Sequence, residues 1–139
     1  MEVISESLGL DKSYFKENIC KESGGYLLPM RYPCNLQNSP ELFSLGEHTD
    51  YGFLAILLAS DKGLQVKNRQ GEWIDVDPIE DTFIINIGDV LEKMTKNLYR
   101  STPHRVRKPQ GADRYSVPYF YDPGWDFVID EIQFDLSKE

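Results

Sequence analysis

The chain contains two histidines, His48 and His104, and Asp50 follows the first of them by two residues. In extended backbone, residues i and i+2 project from the same face, so the imidazole of His48 and the carboxylate of Asp50 converge on one point, while Thr49 points elsewhere. A His-x-Asp pair by itself is a weak metal signature, because the carboxylate more often only hydrogen-bonds the imidazole. The pair becomes specific when a third ligand joins it.

His104 supplies that third ligand if its strand lies beside the strand of His48. Two imidazoles and one carboxylate on one side of an ion form the facial set that holds non-haem Fe(II) with three positions open. Zinc is the competing metal, and it needs one more protein ligand or a water. The spacing therefore predicts a catalytic metal site formed by His48, Asp50 and His104.

A candidate anion site follows further along the chain. Arg114 and Ser116 again stand at positions i and i+2, which aims a guanidinium and a hydroxyl at one face of a strand. Fe(II) with one carboxylate ligand keeps a positive charge that attracts a bidentate anion such as a 2-oxo acid. An arginine fork suits the far carboxylate of that anion. Alone, Arg-x-Ser is typical of a surface strand, but together with both histidines it indicates a carboxylate site.

The elements that must position these residues are mostly strands. Two short helices open the chain, the second capped by Asp11, and a third helix capped by Asp89 is predicted between Gly88 and Asn97. Between them, runs rich in β-branched and aromatic residues alternate with turn signals, as in a sandwich or barrel. The predicted strands are Tyr26 to Tyr32, Phe53 to Ala59, Leu64 to Asn68, Glu72 to Val76, Thr82 to Ile87, His104 to Lys108 and Arg114 to Asp122.

Two of these predicted strands contain a proline, Pro29 in the first and Pro118 in the last. Proline cannot donate to a sheet ladder, so we expect each to lie where the missing N–H is not needed, such as a sheet edge or a bulge. The segment after Pro123 is apolar enough that it should pack on another part of the protein.

Composition and charge exclude several classes of protein. A chain of 139 residues with 40% hydrophobic and 27% charged residues suits one soluble globular domain. It lacks the apolar run of about 18 residues that a membrane-spanning helix needs. A net charge of −8 argues against nucleic acid as a partner. Two cysteines are too few for a disulfide scaffold, and the N-terminus is not signal-like, so we expect a cytoplasmic protein.

The order and spacing of these motifs resemble the 2-oxoglutarate- and Fe(II)-dependent dioxygenases, in the branch that includes isopenicillin N synthase and plant oxygenases. The matching stretches are Arg31-Tyr32-Pro33, Glu47-His48-Thr49-Asp50, Gly63-Leu64-Gln65-Val66, Gly71-Glu72-Trp73, Asn86-Ile87-Gly88-Asp89, His104-Arg105-Val106 and Arg114-Tyr115-Ser116. The resemblance implies a mainly β fold, a double-stranded β-helix or jelly roll with N-terminal helices. Residues 1–24 would form a helical lead-in, 25–122 the oxygenase core and 123–139 a C-terminal tail.

The resemblance also implies a role for each matched residue. His48, Asp50 and His104 would be the iron ligands. Arg114 and Ser116 would hold the distal carboxylate of 2-oxoglutarate, and Tyr32 matches a tyrosine that reaches the cosubstrate or the substrate in many members. Members of the family use O2 and 2-oxoglutarate to hydroxylate, desaturate or cyclise a small organic molecule. The turn at Asn86 and Gly88-Asp89 is interpreted as structural.

Two departures from the family pattern leave alternatives open. Met30 and Arg31 stand where many plant members carry asparagine and tyrosine, and this is closer to isopenicillin N synthase, in which the Arg-x-Ser pair binds the carboxylate of the substrate. Family members also carry a long N-terminal region, so we expect this chain to be part of a longer enzyme. The alternatives are an iron oxidase that uses no 2-oxoglutarate and a truncated metal-binding domain without catalysis.

Overall fold

The computed structural model describes residues 1–22, 24–34 and 43–135. In this part of the chain two antiparallel sheets, one of five strands and one of four, face each other across a cavity, as predicted for a jelly roll. Short helices cover one end of the outer side of the five-stranded sheet. The strands are β1 (Tyr26–Leu27), β2 (Met30–Tyr32), β3 (Phe43–His48), β4 (Leu54–Ala59), β5 (Leu64–Lys67), β6 (Trp73–Val76), β7 (Ile84–Ile87), β8 (His104–Arg107) and β9 (Arg114–Tyr121). The helices are α1 (Glu2–Ser7), α2 (Tyr14–Asn18) and α3 (Asp89–Met94). None of these helices has the length and apolarity that crossing a bilayer requires.

The chain passes repeatedly from one sheet to the other. The five-stranded sheet has the order β1-β9-β4-β7, with β2 also paired to β9, and the four-stranded sheet has the order β3-β8-β5-β6. From β3 to β5 and again from β6 to β9, each new strand joins the opposite sheet. This connectivity is that of a jelly roll and confirms the predicted fold class. The division into residues 1–24, 25–122 and 123–139 stays a prediction.

Apolar side chains form a cluster on each side of the five-stranded sheet. Leu54 and Leu57 of β4 project from opposite faces and contact different clusters. The cluster between the sheets contains the buried residues Tyr32, Leu64 and Val106. The outer cluster, beneath the helices, contains Leu8, Phe15, Ile19, Cys20, Phe53, Val90, Leu91, Met94 and Ile132.

The apolar segment after β9 packs on this outer cluster. Ile132 is 3% exposed, and its N–H donates to the carbonyl oxygen of Met94 at 2.9 Å. The segment therefore finds a packing surface on α3, as its composition requires. Residues 136–139 of the predicted tail lie outside the described residues.

The structure corrects the strand prediction in two places. The run from Tyr26 to Tyr32 is two strands separated at Leu28 and Pro29, and Phe43–His48 is a strand that we did not predict. This strand lacks regular apolar alternation, and its pairing with β8 contains two register shifts. Irregular pairing removes the period of two on which strand prediction depends.

Pro118 lies in the interior strand β9, at a position where its missing N–H is not needed. Its carbonyl oxygen accepts a hydrogen bond from the Leu28 N–H at 3.0 Å. The N and C=O of one residue point to the same side of an antiparallel strand, so the Pro118 nitrogen faces the break between β1 and β2, at Leu28 and Pro29. The N–H that Pro118 lacks would thus face a gap in the ladder, so its absence costs little free energy.

The two predicted helix caps are displaced. The N-cap of α3 is Gly88, and Asp89 is the first helical residue, whose carboxylate accepts a hydrogen bond from the Thr49 hydroxyl at 3.0 Å. The N-cap of α2 is Ser13, and Asp11 accepts two bonds from Ser13, each at 2.8 Å. Asp11 therefore lies before its N-cap residue and Asp89 directly after its own, and each carboxylate accepts a hydrogen bond near the start of a helix.

Gly88 allows the connection after β3 to touch the start of α3. A Cβ at Gly88 would collide with the backbone oxygen of Gly52 and lie 3.1 Å from that of Asp50. Hydrogen bonds hold this approach, because Gly88 N–H donates to Phe53 O at 2.9 Å and Asp89 N–H donates to Asp50 O at 2.8 Å. The two backbone segments cannot move apart without breaking these hydrogen bonds.

We predict that Gly88→Ala lowers the free energy of unfolding by about 1–3 kcal/mol, the usual cost of forcing an atom into a packed site. Urea unfolding of the metal-free protein measures this change. Gly46→Ala is the control, because a Cβ at Gly46 meets nothing within 4 Å, and its effect should stay within about 0.5 kcal/mol. Equal effects of the two substitutions would contradict the prediction.

Candidate metal centre

His48, Asp50 and His104 meet at the mouth of the cavity. His48 ends β3 and His104 begins β8, and the two residues are direct partners in the ladder. The Oδ1 atom of Asp50 lies 3.8 Å from His48 Nε2 and 3.6 Å from His104 Nε2. One ligand atom from each residue lies within 4.8 Å of the other two. The structure thus brings together the three residues that we predicted from spacing.

The outer nitrogen of each imidazole is held by the backbone. His48 Nδ1 lies 2.8 Å from the carbonyl oxygen of Gly46, and His104 Nδ1 lies 3.0 Å from that of Thr102. A carbonyl oxygen only accepts, so each Nδ1 carries the hydrogen and donates it. Each Nε2 is then left with a lone pair that faces the other two residues. This is the tautomer that a metal ligand requires.

The carboxylate of Asp50 is oriented in the same way. Its Oδ2 atom accepts a hydrogen bond from Asn86 Nδ2 at 2.9 Å, which leaves Oδ1 directed at the imidazoles. We had interpreted the turn containing Asn86 as structural and missed this contact. The available signal was an amide at a cavity-facing position of the otherwise apolar strand β7.

The donor set fits a divalent ion of borderline softness. Two neutral nitrogens and one carboxylate oxygen approach from one side, and the side chains of His104 and Asp50 are only 12% and 11% exposed. The other side faces the cavity, where further ligands have access. Such a set suits Fe(II) with open positions, whereas a structural zinc site is closed by four protein ligands.

Arg114 forms a second polar site in the same cavity. It is 1% exposed and lies in β9 opposite Tyr32 of β2. Its Nε donates to the carbonyl oxygen of Asp61 at 3.1 Å, but its buried Nη1 has no hydrogen-bond partner among the described residues. Burial lowers the pKa of the guanidinium, and nearby Tyr32 partly offsets this effect. A buried donor without a partner costs free energy, so an anion that accepts a hydrogen bond from Nη1 would be stabilised at this site.

Tyr32 and Ser116 lie beside this guanidinium. The Arg114 guanidinium carbon is 5.2 Å from the Tyr32 ring centroid, and the Tyr32 hydroxyl donates to Met30 Sδ at 3.4 Å. Ser116, two residues along β9, is 2% exposed and also lines the cavity. All the predicted site residues therefore share one cavity of about 590 Å³.

Apolar side chains form much of the remaining wall, and they include Leu28, Leu57, Val66, Val76, Ile84 and Phe120. Asp122 is a further carboxyl group in the cavity that we did not predict. Burial raises its pKa, and the negative charge of Asp50 raises it further. The cavity thus combines an apolar body with a few polar groups, as is usual for small-molecule sites.

Comparison with known proteins gives consistent matches. The sequence profile of the 2OG-Fe(II) oxygenase superfamily matches residues 25–123. A probable iron/ascorbate oxidoreductase of Dictyostelium discoideum is 40% identical over 96% of this chain. The 1-aminocyclopropane-1-carboxylate oxidase 1 of Doritaenopsis sp. is 40% identical over 93% of it. The chain spans 41% of the length of each of these two relatives.

Solved structures agree with the sequence matches. A full-length Neurospora crassa protein in complex with alpha-KG and 5-formyluracil superposes with a TM-score of 0.88 at 34% identity, covering 95% of this chain and 45% of the fungal one. JOX2 in complex with 2OG, Fe and JA superposes with a TM-score of 0.84 at 37% identity, covering 96% of this chain and 40% of JOX2. These likenesses confirm the resemblance that the motifs indicated and the jelly-roll fold.

We predict that Asn86→Ala weakens the binding of a divalent cation such as Co(II) roughly tenfold, because loss of an outer-shell partner releases a ligand from its orientation. Calorimetric titration of the metal-free protein measures the affinity. Asn18→Ala is the control, because its amide donates to Tyr14 O on α2, in an exposed position outside the cavity. An affinity that is unchanged by Asn86→Ala would show that Asp50 needs no such support.

Proposed function

The chain belongs to the 2OG-Fe(II) oxygenase superfamily, and we propose that it forms the catalytic core of an Fe(II)- and 2-oxoglutarate-dependent oxygenase. The superfamily is described by Fe(II) and 2-oxoglutarate, which agrees with the cofactor and cosubstrate predicted from the motifs. The observation that carries the proposal is the convergence of two Nε2 atoms and one carboxylate oxygen within 4.8 Å at a cavity that also contains Arg114. We assign His48, Asp50 and His104 as the iron ligands.

Bound Fe(II) would supply the oxidising chemistry, with O2 as oxidant and decarboxylation of 2-oxoglutarate to succinate and CO2. The residues of the chain bind and orient. The two imidazoles and Asp50 would hold the ion from one side, and the cavity lies beside them. Asn86 and the carbonyls of Gly46 and Thr102 keep the three ligands in position.

Arg114, Ser116 and Tyr32 would receive the distal carboxylate of 2-oxoglutarate. The unpaired Nη1 donor of Arg114 supplies a charge-assisted hydrogen bond in a water-poor part of the cavity, where such bonds are strong. The similar structures of the Neurospora crassa protein and of JOX2 were solved with alpha-KG or 2OG, which supports a 2-oxo acid over the oxidase alternative. Their other ligands differ from each other, so we assign no particular substrate.

The substrate would be a small organic molecule, as is general for this family, held against the apolar wall of the cavity. The reaction on it would be a hydroxylation, a desaturation or an oxidative cyclisation. The cytoplasmic location and the absence of nucleic-acid and membrane partners stay predictions from composition.

His104→Ala should abolish iron retention and succinate release, because two protein ligands remain and hold the ion weakly. Iron content after gel filtration and 2-oxoglutarate turnover measure both effects. Arg107→Ala, an outward substitution on the same strand, should retain iron at the level of the parent chain. A His104→Ala protein that keeps stoichiometric iron and turns over at the parental rate would refute the ligand assignment.

Arg114→Leu should retain iron but bind 2-oxoglutarate at least roughly tenfold more weakly, since a charge-assisted hydrogen bond contributes about 1.5–3 kcal/mol. Equilibrium binding of labelled 2-oxoglutarate to the iron-loaded protein measures this, with Arg107→Leu as the control. Leucine also removes a buried donor that has no partner among the described residues, so unfolding is not the expected result.

Unchanged 2-oxoglutarate affinity in Arg114→Leu would contradict the proposed role of Arg114 in binding the distal carboxylate. A parent chain that binds iron but no 2-oxoglutarate would support the oxidase alternative.

A further inference from the structure

An aromatic and cationic stack lies on the outer face of the four-stranded sheet, on the side away from the cavity. His104 and Val106 of β8 line the cavity, so Arg105 between them projects outward. Its guanidinium carbon lies 4.2 Å from the ring centroid of Phe43 and 3.8 Å from that of Trp73. We call Phe43, Arg105 and Trp73 the outer stack.

The outer stack joins strands that are not neighbours. Phe43 lies on β3 and Trp73 on β6, which are the two edge strands of this sheet. Arg105 Nε also donates to Gln65 Oε1 on β5 at 2.8 Å, and Gln65 is 5% exposed. One side chain of β8 therefore contacts the three other strands of the sheet. A planar guanidinium can stack between two rings and donate in its own plane, which a lysine ammonium cannot do.

The register of β3 against β8 depends on more than its own ladder. The two strands have three paired positions, and the register shifts between Phe43 and Leu45 and again between Leu45 and His48. A slip of one residue turns every side chain of a strand to the opposite face. In β3 such a slip would carry the imidazole of His48 away from that of His104.

We propose that Arg105 is a positioning residue for the metal centre. Through the outer stack it holds β3 against β8, so that the imidazoles of His48 and His104 face one point. This inference rests on the proposed function, in which these imidazoles bind the metal. Arg105 does not line the cavity and acts through the backbone of its neighbour His104 and through the ring of Phe43.

The test compares Co(II) binding by the Arg105→Met and Arg107→Met proteins. Both substitutions remove an outward guanidinium from β8, but Arg107 lies outside the outer stack and pairs with Asp75 at 3.3 Å. We expect Arg105→Met to weaken Co(II) binding roughly tenfold, as loss of an outer support does. We also expect altered visible absorption bands of the bound Co(II), which report ligand geometry. Arg107→Met should leave the affinity and the bands unchanged.

Thermal unfolding of the metal-free proteins separates positioning from general stability. An Arg105→Met protein with lowered thermal stability but unchanged Co(II) affinity and spectrum would overturn the inference. If Arg105→Met does not fold, Trp73→Leu removes one ring of the outer stack from the distant edge strand and should shift affinity and spectrum in the same direction. Unchanged binding in that variant would also overturn the inference.

The outcome for the parent chain distinguishes the two proposals. A parent chain that binds no Co(II) would refute the metal centre, and the role of Arg105 with it. A parent chain that binds Co(II), together with an Arg105→Met protein of the same affinity and spectrum, would refute the positioning role and leave the proposed function intact.

Discussion

The antiparallel pairing of β3 with β8 is the constraint on which the site depends. It sets His48 opposite His104, with ring centroids 4.2 Å apart, and the chain then turns immediately so that Asp50 reaches the same point. Because both Nδ1 atoms bond to carbonyl oxygens, the two Nε2 atoms lie near Asp50 Oδ1, at 3.8 Å and 3.6 Å. A cation among these three atoms would accept electron pairs from all of them, so the backbone geometry favours a bound metal.

The two polar ends of the cavity are supplied by different sheets. The imidazoles project from the four-stranded sheet, whereas Arg114 and Ser116 belong to β9, an interior strand of the five-stranded sheet. The distance between the ends is therefore set by how the sheets pack, through the apolar cluster of Tyr32, Leu64 and Val106. Under the proposed function, a dicarboxylate that met the metal at one end and Arg114 at the other would span this cluster, so core packing would determine which length of anion fits.

The parts of the site that the sequence predicts are those governed by local geometry. The i, i+2 rule places His48 with Asp50, and Arg114 with Ser116, without knowledge of the fold. Contacts that depend on distant strands are not predicted: Asn86 of β7 reaches Asp50 in the connection between β3 and β4, and β3 has no clear pattern because its ladder is irregular. The exact place of Pro118 also depends on distant strands, since only the pairing of β9 reveals the gap opposite its nitrogen.

A buried arginine also links ligand binding to the stability of the fold. Arg114 is almost fully buried, with one donor unpaired among the described residues, and removing a charge from water without a compensating partner is unfavourable. An anion that pairs with this donor in the folded state has no such partner in the unfolded chain, so by linkage it stabilises the fold as its concentration rises. The same would hold for a metal bound by His48, Asp50 and His104, because these residues converge only when β3 and β8 are paired. The site is thus assembled by folding, and an anion and a metal bound in it would stabilise the packing of the two sheets.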